Sequence, residues 1–259
     1  MPPTTKAIAI IAGVGPGTGA SVARRFAQSY PVVLLARNPE NFNSLAEEIN
    51  SSGGKAIGIS TDLGDVSSVA NAFKQIQSEF PDTPVAAAVY NASGRFVRKG
   101  LLDMAVEDFV AGYDVSVKGA FVFSQHSIPL LLKHAEKNAS ADTASNVKSG
   151  NYPPTLVFTG ATASVKANAL MSGFATAKFA MRALSTSIAK EFAPKGLHVA
   201  HAIIDGVIDI PRTKEWLKDQ PPEAKIAAED IAESYWNLHT QNKRAFTNEI
   251  DIRPQLEKW

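Results

Sequence analysis

Four glycines carry the first chemical signal in this chain. Gly13, Gly15, Gly17 and Gly19 follow directly on Ala7 to Ala12, an apolar run of strand length. A helical pattern then begins, with Val22, Ala23, Phe26 and Ala27 on one face. Glycine lets a chain turn tightly, lets the backbone approach a pyrophosphate and lets a helix pack close on a sheet. The N–H groups at the start of the helix then face the negative charge. Strand, glycine turn and helix in that order predict a dinucleotide site, with a plain strand–helix turn as the simpler alternative. Arg37 is the second signal. It follows directly on the apolar run Val32 to Ala36, and no Asp or Glu comes before Glu40. Sites for NAD commonly place an acidic side chain here against the ribose hydroxyls, whereas an arginine pairs with a 2′-phosphate. Arg37 therefore favours NADP(H) over NAD(H), a solvated arginine at a strand end being the plainer reading.

The glycine spacing is Gly-x-x-x-Gly-x-Gly, formed by Gly13, Gly17 and Gly19; Thr18 occupies the place where Gly-x-Gly-x-x-Gly needs its last glycine. In this the chain resembles the short-chain dehydrogenase/reductase family, over nearly its whole length. The resemblance implies hydride transfer between a nicotinamide cofactor and a carbonyl or alcohol. It also implies a Tyr-x-x-x-Lys pair, a Ser thirteen residues before the Tyr, and an Asn in the preceding helix. Lys178 fills the lysine position, where it would hold the nicotinamide ribose. Phe174 stands at the tyrosine position, Ala161 at the serine position and Ser116 at the asparagine position. Ordinary Ser-Tyr-Lys catalysis is therefore not expected. Thr162 could replace the serine if the loop differs by one residue. Ser164, Ser172, Thr176 and Asp205 are further candidates for hydrogen-bond or proton duty. The implied cofactor contacts are Gly13, Gly15, Gly17, Thr18, Gly19, Arg37, Asp62, Leu63, Asn91, Ala92, Lys178, Gly206 and Ile208. Two segments depart from the family pattern. Asn91-Ala92-Ser93-Gly94 stands for Asn-Ala-Gly, and Asp205-Gly206 stands for Pro-Gly.

Three functions fit these residues. One is an NADP-dependent reductase with atypical proton delivery, acting on a carbonyl, imine or alkene. Another is a non-redox isomerase, dehydratase or cyclase on the same scaffold. The third is an NADP-binding protein without turnover, against which the glycine turn, Arg37 and Lys178 all speak. Phe96, Leu170, Met171, Phe174, Val207 and Ile208 would line the pocket and suit a small apolar or aromatic substrate. The resemblance further implies pairing of the long helices Met104 to Lys137 and Phe174 to Phe192 across two-fold axes, giving a homodimer or homotetramer.

The elements that must position these groups are an alternation of strands and helices. Strands are expected at Ala7 to Ala12, Val32 to Ala36, Ala56 to Thr61, Val85 to Tyr90, Leu156 to Thr159, His198 to Ile204 and Glu249 to Ile252. Helices are expected at Pro39 to Asn50, Val66 to Phe80, Met104 to Lys137 with one bend, Phe174 to Phe192 and Glu229 to Leu238. The fold class is thus α/β, a single Rossmann-type doubly wound parallel sheet with helices on both faces. The 259 residues are 45% hydrophobic, enough for one large core and one domain. Residues 139–154 read as a flexible polar loop and 205–226 as a substrate lid. A formal charge of +1 suggests no general affinity for nucleic acid or an anionic membrane. With no cysteine, disulfides and thiolate chemistry are excluded. The N-terminus leaves no room for a signal peptide, and no apolar run approaches the ~20 residues of a membrane span. A cytoplasmic protein is expected. His126, His134, His198, His201 and His239 show no metal-ligand spacing.

Overall fold

The computed structural model describes residues 7–137 and 151–258. Seven parallel strands form one sheet: β1 (Ile8–Ala12), β2 (Val32–Ala36), β3 (Ala56–Ser60), β4 (Val85–Tyr90), β5 (Thr155–Thr159), β6 (His198–Ile204) and, last in the chain, β9 (Glu249–Ile252). Their order across the sheet is β3-β2-β1-β4-β5-β6-β9. The order reverses between β1 and β4, and the crevice for ligands lies at the C-terminal ends of those two strands. Two further strands, β7 (Ile208–Asp209) and β8 (Ile226–Ala227), pair only with each other.

The inner strands are buried on both faces, which is why β1, β2 and β4 read as unbroken apolar runs and β5 as an apolar centre between the buried Thr155 and Thr159. Alternate residues feed two cores. Ala9 and Ile11 face a core that Val22 and Phe26 of α1 (Thr18–Ala27) share with Leu45 and Ile49 of α2 (Asn43–Ser51). Ile231 and Tyr235 of the helix Ala228–His239 complete it. Ile8 and Ile10 face the opposite core, with Val69 and Phe73 of α3 (Val66–Glu79). Asp65 caps α3 by accepting the Ser68 N–H at 2.6 Å.

The long helical stretch after β4 has three parts rather than one bend. Helix α4 (Val106–Tyr113) runs into a π-helical turn at Asp114–Gly119, then α5 (Ala120–Lys137), which carries Pro129. Helix α6 (Ser172–Phe192) follows β5, and α7 (Ala228–His239) follows β8. The segment Pro39 to Asn50 is also split, a short 3₁₀ turn at Pro39–Asn41 preceding α2. Most of the expected loop 139–154 lies outside the described residues. Among the described residues no helix is long and apolar enough to cross a membrane.

Candidate active site

The glycine turn is shaped by close approach. A Cβ on Gly13 would stand 2.5 Å from the Ala92 nitrogen, and Gly13 has φ +90, a backbone state that side chains disfavour. A Cβ on Gly19 would stand 2.5 Å from the Gly13 carbonyl oxygen. Gly15 has no heavy atom within 4 Å of its would-be Cβ, so its backbone lies open. Asn91 locks the turn from the other half of the sheet: its Nδ2 donates to the Gly13 oxygen at 3.0 Å, while its own N–H donates to the Ala12 oxygen at 2.8 Å. Helix α1 begins here without a side-chain cap; the Ala20 N–H is taken by the Gly15 oxygen at 3.2 Å, and no side chain takes the N–H groups of Thr18 and Gly19 before it. This is a cradle that a pyrophosphate fits, and these residues are suited to a nicotinamide dinucleotide.

A groove continues from the turn along the ends of β2 and β3. Arg37, Asn38, Asp62 and Leu63 line it together with Asn91 and Ala92. Arg37 is exposed, and Ser60 Oγ donates to its carbonyl oxygen at 2.7 Å. Asp62 Oδ1 accepts the Gly64 N–H at 2.9 Å, which folds the corner after β3. The expected cofactor residues from the first half of the chain therefore come together.

Those from the second half divide. Lys178 is 3% exposed and Nζ donates to the Thr159 carbonyl oxygen at 3.0 Å. Burial pushes its pKa down to about 8. The Phe174 ring centroid lies 5.9 Å from Nζ. Phe174 in turn meets Phe96 edge-to-face at 5.1 Å, so two of the expected pocket residues do touch. Ser116 sits in the π-helical turn, where Oγ accepts the Gly94 N–H at 3.0 Å. It positions the loop after β4. Gly206 packs on Pro254, whose Cδ is 2.6 Å from the would-be Cβ. Ile208 is held in the β7–β8 pair. Ile210, which the sequence did not single out, lies against the glycine turn, its Cγ2 2.6 Å from the would-be Cβ of Gly17.

Ala161 begins the loop after β5, and its N–H donates to Ser164 Oγ at 3.1 Å. Ser164 is fully buried and serves the loop backbone. Thr162 is half-buried and donates to Asp205 Oδ1 at 2.5 Å. Asp205 also meets Arg253, a residue that sequence reading missed. The signal was the register: Ile204 pairs with Ile252, so residues 205 and 253 emerge side by side. Below them, on β6, His201 Nδ1 meets Glu249 Oε2 at 3.0 Å, and Arg182 grips the same carboxylate with two bonds of 2.6 and 2.7 Å. His198 stacks on Phe246 and bonds the Thr247 oxygen. Among the described residues no group of three or more His, Asp or Glu side chains could hold a metal ion.

The turn, the crevice at the strand-order reversal and the lysine one helical turn beyond Phe174 define a nucleotide-binding α/β enzyme fold. The chain belongs to the short chain dehydrogenase family, whose model matches residues 7–221. An uncharacterized oxidoreductase of Staphylococcus epidermidis is 27% identical over 248 residues, covering 95% of this chain and 96% of that protein. A short-chain dehydrogenase from Rhodopseudomonas palustris superposes with a TM-score of 0.77 at 28% identity, covering 96% of this chain and 99% of that one. A metagenomic short-chain oxidoreductase solved in complex with NADP has the same fold, with a TM-score of 0.76 at 20% identity over 98% and 99% of the two chains.

Proposed function

We propose that this oxidoreductase is an NADP(H)-dependent reductase of a small apolar or aromatic carbonyl, imine or alkene, working without a phenol at position 174. The carrying observation is Lys178. A buried ammonium is costly to hold, and here it is kept at the C-terminal end of β5 on a single carbonyl, where the nicotinamide ribose can use its other hydrogens. Gly13, Gly15 and Gly19 would hold the pyrophosphate, Asn91 would fix the turn, and Arg37 would take the 2′-phosphate. The bound cofactor would supply hydride. The chain's own part is to orient the substrate against the Phe96–Phe174 pair, and residues 205–226 would close over it. That the metagenomic relative was solved with NADP is in keeping with this choice.

No Asp or Glu follows β2 before Glu40 to bind the ribose hydroxyls, so NADPH should bind more tightly than NADH. Arg37→Asp should weaken NADPH by on the order of 1–3 kcal/mol, the scale of a charge-assisted hydrogen bond. Calorimetry on the purified protein tests this, and equal affinities for the two nucleotides would refute it. Turnover is tested by following NADPH absorbance with carbonyl and imine substrates.

We further propose a cytoplasmic homodimer or homotetramer. Val106 and Val110 of α4, Phe121 of α5 and Phe179 of α6 are exposed apolar side chains on the helices expected to pair.

A further inference from the structure

Thr162 and Asp205 stand at the C-terminal ends of neighbouring strands, on the edge of the sheet that carries the glycine turn and Lys178. Thr162 Oγ1 donates to Asp205 Oδ1 at 2.5 Å. Asp205 Oδ2 receives Arg253 Nη2 at 2.9 Å, and the Asp205 side chain is only 8% exposed. Arg253 is fixed from behind by two 2.8 Å bonds to Asp251. A guanidinium has only N–H donors, so Asp205 Oδ2 is the acceptor of that bond, as Oδ1 is of the threonine's. The threonine hydroxyl has one hydrogen, and that hydrogen is committed to Asp205. What the half-buried Thr162 turns toward a ligand is therefore lone pairs, made richer by the charge-assisted bond behind them.

This inverts the polarity expected beside a reacting carbonyl. A carbonyl oxygen is an acceptor and needs a donor; facing Thr162 it would meet a second acceptor. A group with its own N–H does not. We propose that the reacting group is a protonated imine, whose N–H donates to Thr162 Oγ1, and that Asp205 and Arg253 are positioning residues that hold the threonine in its acceptor orientation. The inference rests on the reductase reading above and narrows its substrate class. It also accounts for Phe174. Hydride adds to the carbon of the C=N–H cation, the π pair becomes the nitrogen lone pair, the N–H bond stays in place, and the nicotinamide is oxidised. The product is a neutral amine, and no proton has to be supplied. A ketone in the same place leaves an alkoxide, for which Phe174 has no proton. The Phe174 ring, which Phe96 meets edge-to-face at 5.1 Å, also offers an aromatic wall that suits a cationic ligand.

The test uses three ligands of one fused-ring frame: the dihydroisoquinolinium ion with its N–H, its N-methyl derivative, and tetralone. Binding is measured by calorimetry on the NADP⁺-loaded protein, where no hydride can move, and kcat/KM is measured with NADPH. The N–H cation should bind about tenfold more tightly than the N-methyl cation, the size of one hydrogen bond, and should be reduced faster than tetralone by at least as much. Thr162→Val and Asp205→Asn should erase the N–H preference, and Thr162→Ser should restore it, with NADPH affinity unchanged in all three variants. Tetralone reduced as fast as the N–H cation, or an N–H preference that survives Thr162→Val, overturns the inference while leaving the reductase reading intact. NADPH that does not bind, or binds and reduces none of the three, overturns both.

Discussion

Lys178 makes a prediction that separates its function from its contribution to folding. The perturbation is Lys178→Met, which keeps the length of the side chain and removes the charge. Burial lowers the lysine pKa from 10.5 to about 8, with desolvation as the cause. At ~1.36 kcal/mol per pKa unit this corresponds to roughly 3 kcal/mol by which the charged lysine disfavours the folded state near neutral pH. The bond from Nζ to the Thr159 oxygen returns part of that, a hydrogen bond from a charged donor contributing ~1.5–3 kcal/mol. The variant should therefore be more stable than the parent by on the order of 1 kcal/mol at pH 7, raising Tm by about 2–4 °C for a chain of this size. The sign of the pH dependence follows. Between about 8 and 10.5 the unfolded chain still holds a proton that the folded chain has released, so the parent recovers stability as pH rises through that window. The advantage of the variant should shrink accordingly and vanish above it. Urea midpoints from pH 7 to pH 10.5, taken alongside NADPH affinity, are the assay. A variant less stable than the parent at pH 7, or an advantage constant across the window, would refute the reasoning. NADPH affinity should fall in the same variant.

Phe174→Tyr combined with Ala161→Ser should restore a phenol and its hydrogen-bond partner, raising kcat/KM on generic ketones by ~10²-fold or more, with each single change gaining less because the two act as a unit; NADPH oxidation rates equal to those of the parent would contradict this. The fold should also be acid-labile. His239 is held neutral by burial, its pKa pushed down to about 3, and His134 and His201 are each pushed down to about 4. Below the ordinary histidine range the unfolded chain takes protons that the folded chain refuses, so stability is lost as pH falls, by ~2 kcal/mol at pH 5 for His239 alone. His239→Gln should flatten that slope in urea titrations between pH 7 and pH 5, and a parent midpoint that does not change over this range would refute it. Light scattering at micromolar concentration should give the mass of a dimer or tetramer, with Phe179→Glu reducing it; a monomeric parent would remove the proposed assembly.

Sequence reading located the sheet because its inner strands are buried on both faces and are largely apolar, β6 being interrupted only by the buried His198 and His201. Val32–Ala36, Val85–Tyr90 and His198–Ile204 are found where the pattern placed them. The helices shifted where local chemistry competes with periodicity. Pro39 starts a 3₁₀ turn before α2, and the π-turn ends at Gly119, where a side chain would collide with the Leu63 carbonyl and the Tyr90 hydroxyl. Tyr90 donates to the Val115 oxygen inside that turn at 2.5 Å, a contact no periodicity announces. The glycine turn was legible because glycine is required there for close approach. The Thr162–Asp205–Arg253 unit was only half legible, since it depends on the pairing of β6 with a strand 48 residues further on. Ile210 was missed because β7 and β8, two residues each, are too short to leave a periodic signal.

The bond from Asn91 to the Gly13 carbonyl joins β4 to β1 across the place where the strand order reverses. A dinucleotide lying on that turn and reaching Lys178 touches groups from both halves of the chain. With no cysteine the molecule has no covalent cross-link between those halves. The ligand then acts as the staple. At a free concentration a hundredfold above its dissociation constant it adds about 2.7 kcal/mol to folding. That is a large share of the stability of an ordinary domain. The lifetime of this protein against proteolysis in the cell would therefore follow the size of the nicotinamide nucleotide pool, and its abundance would report on that pool.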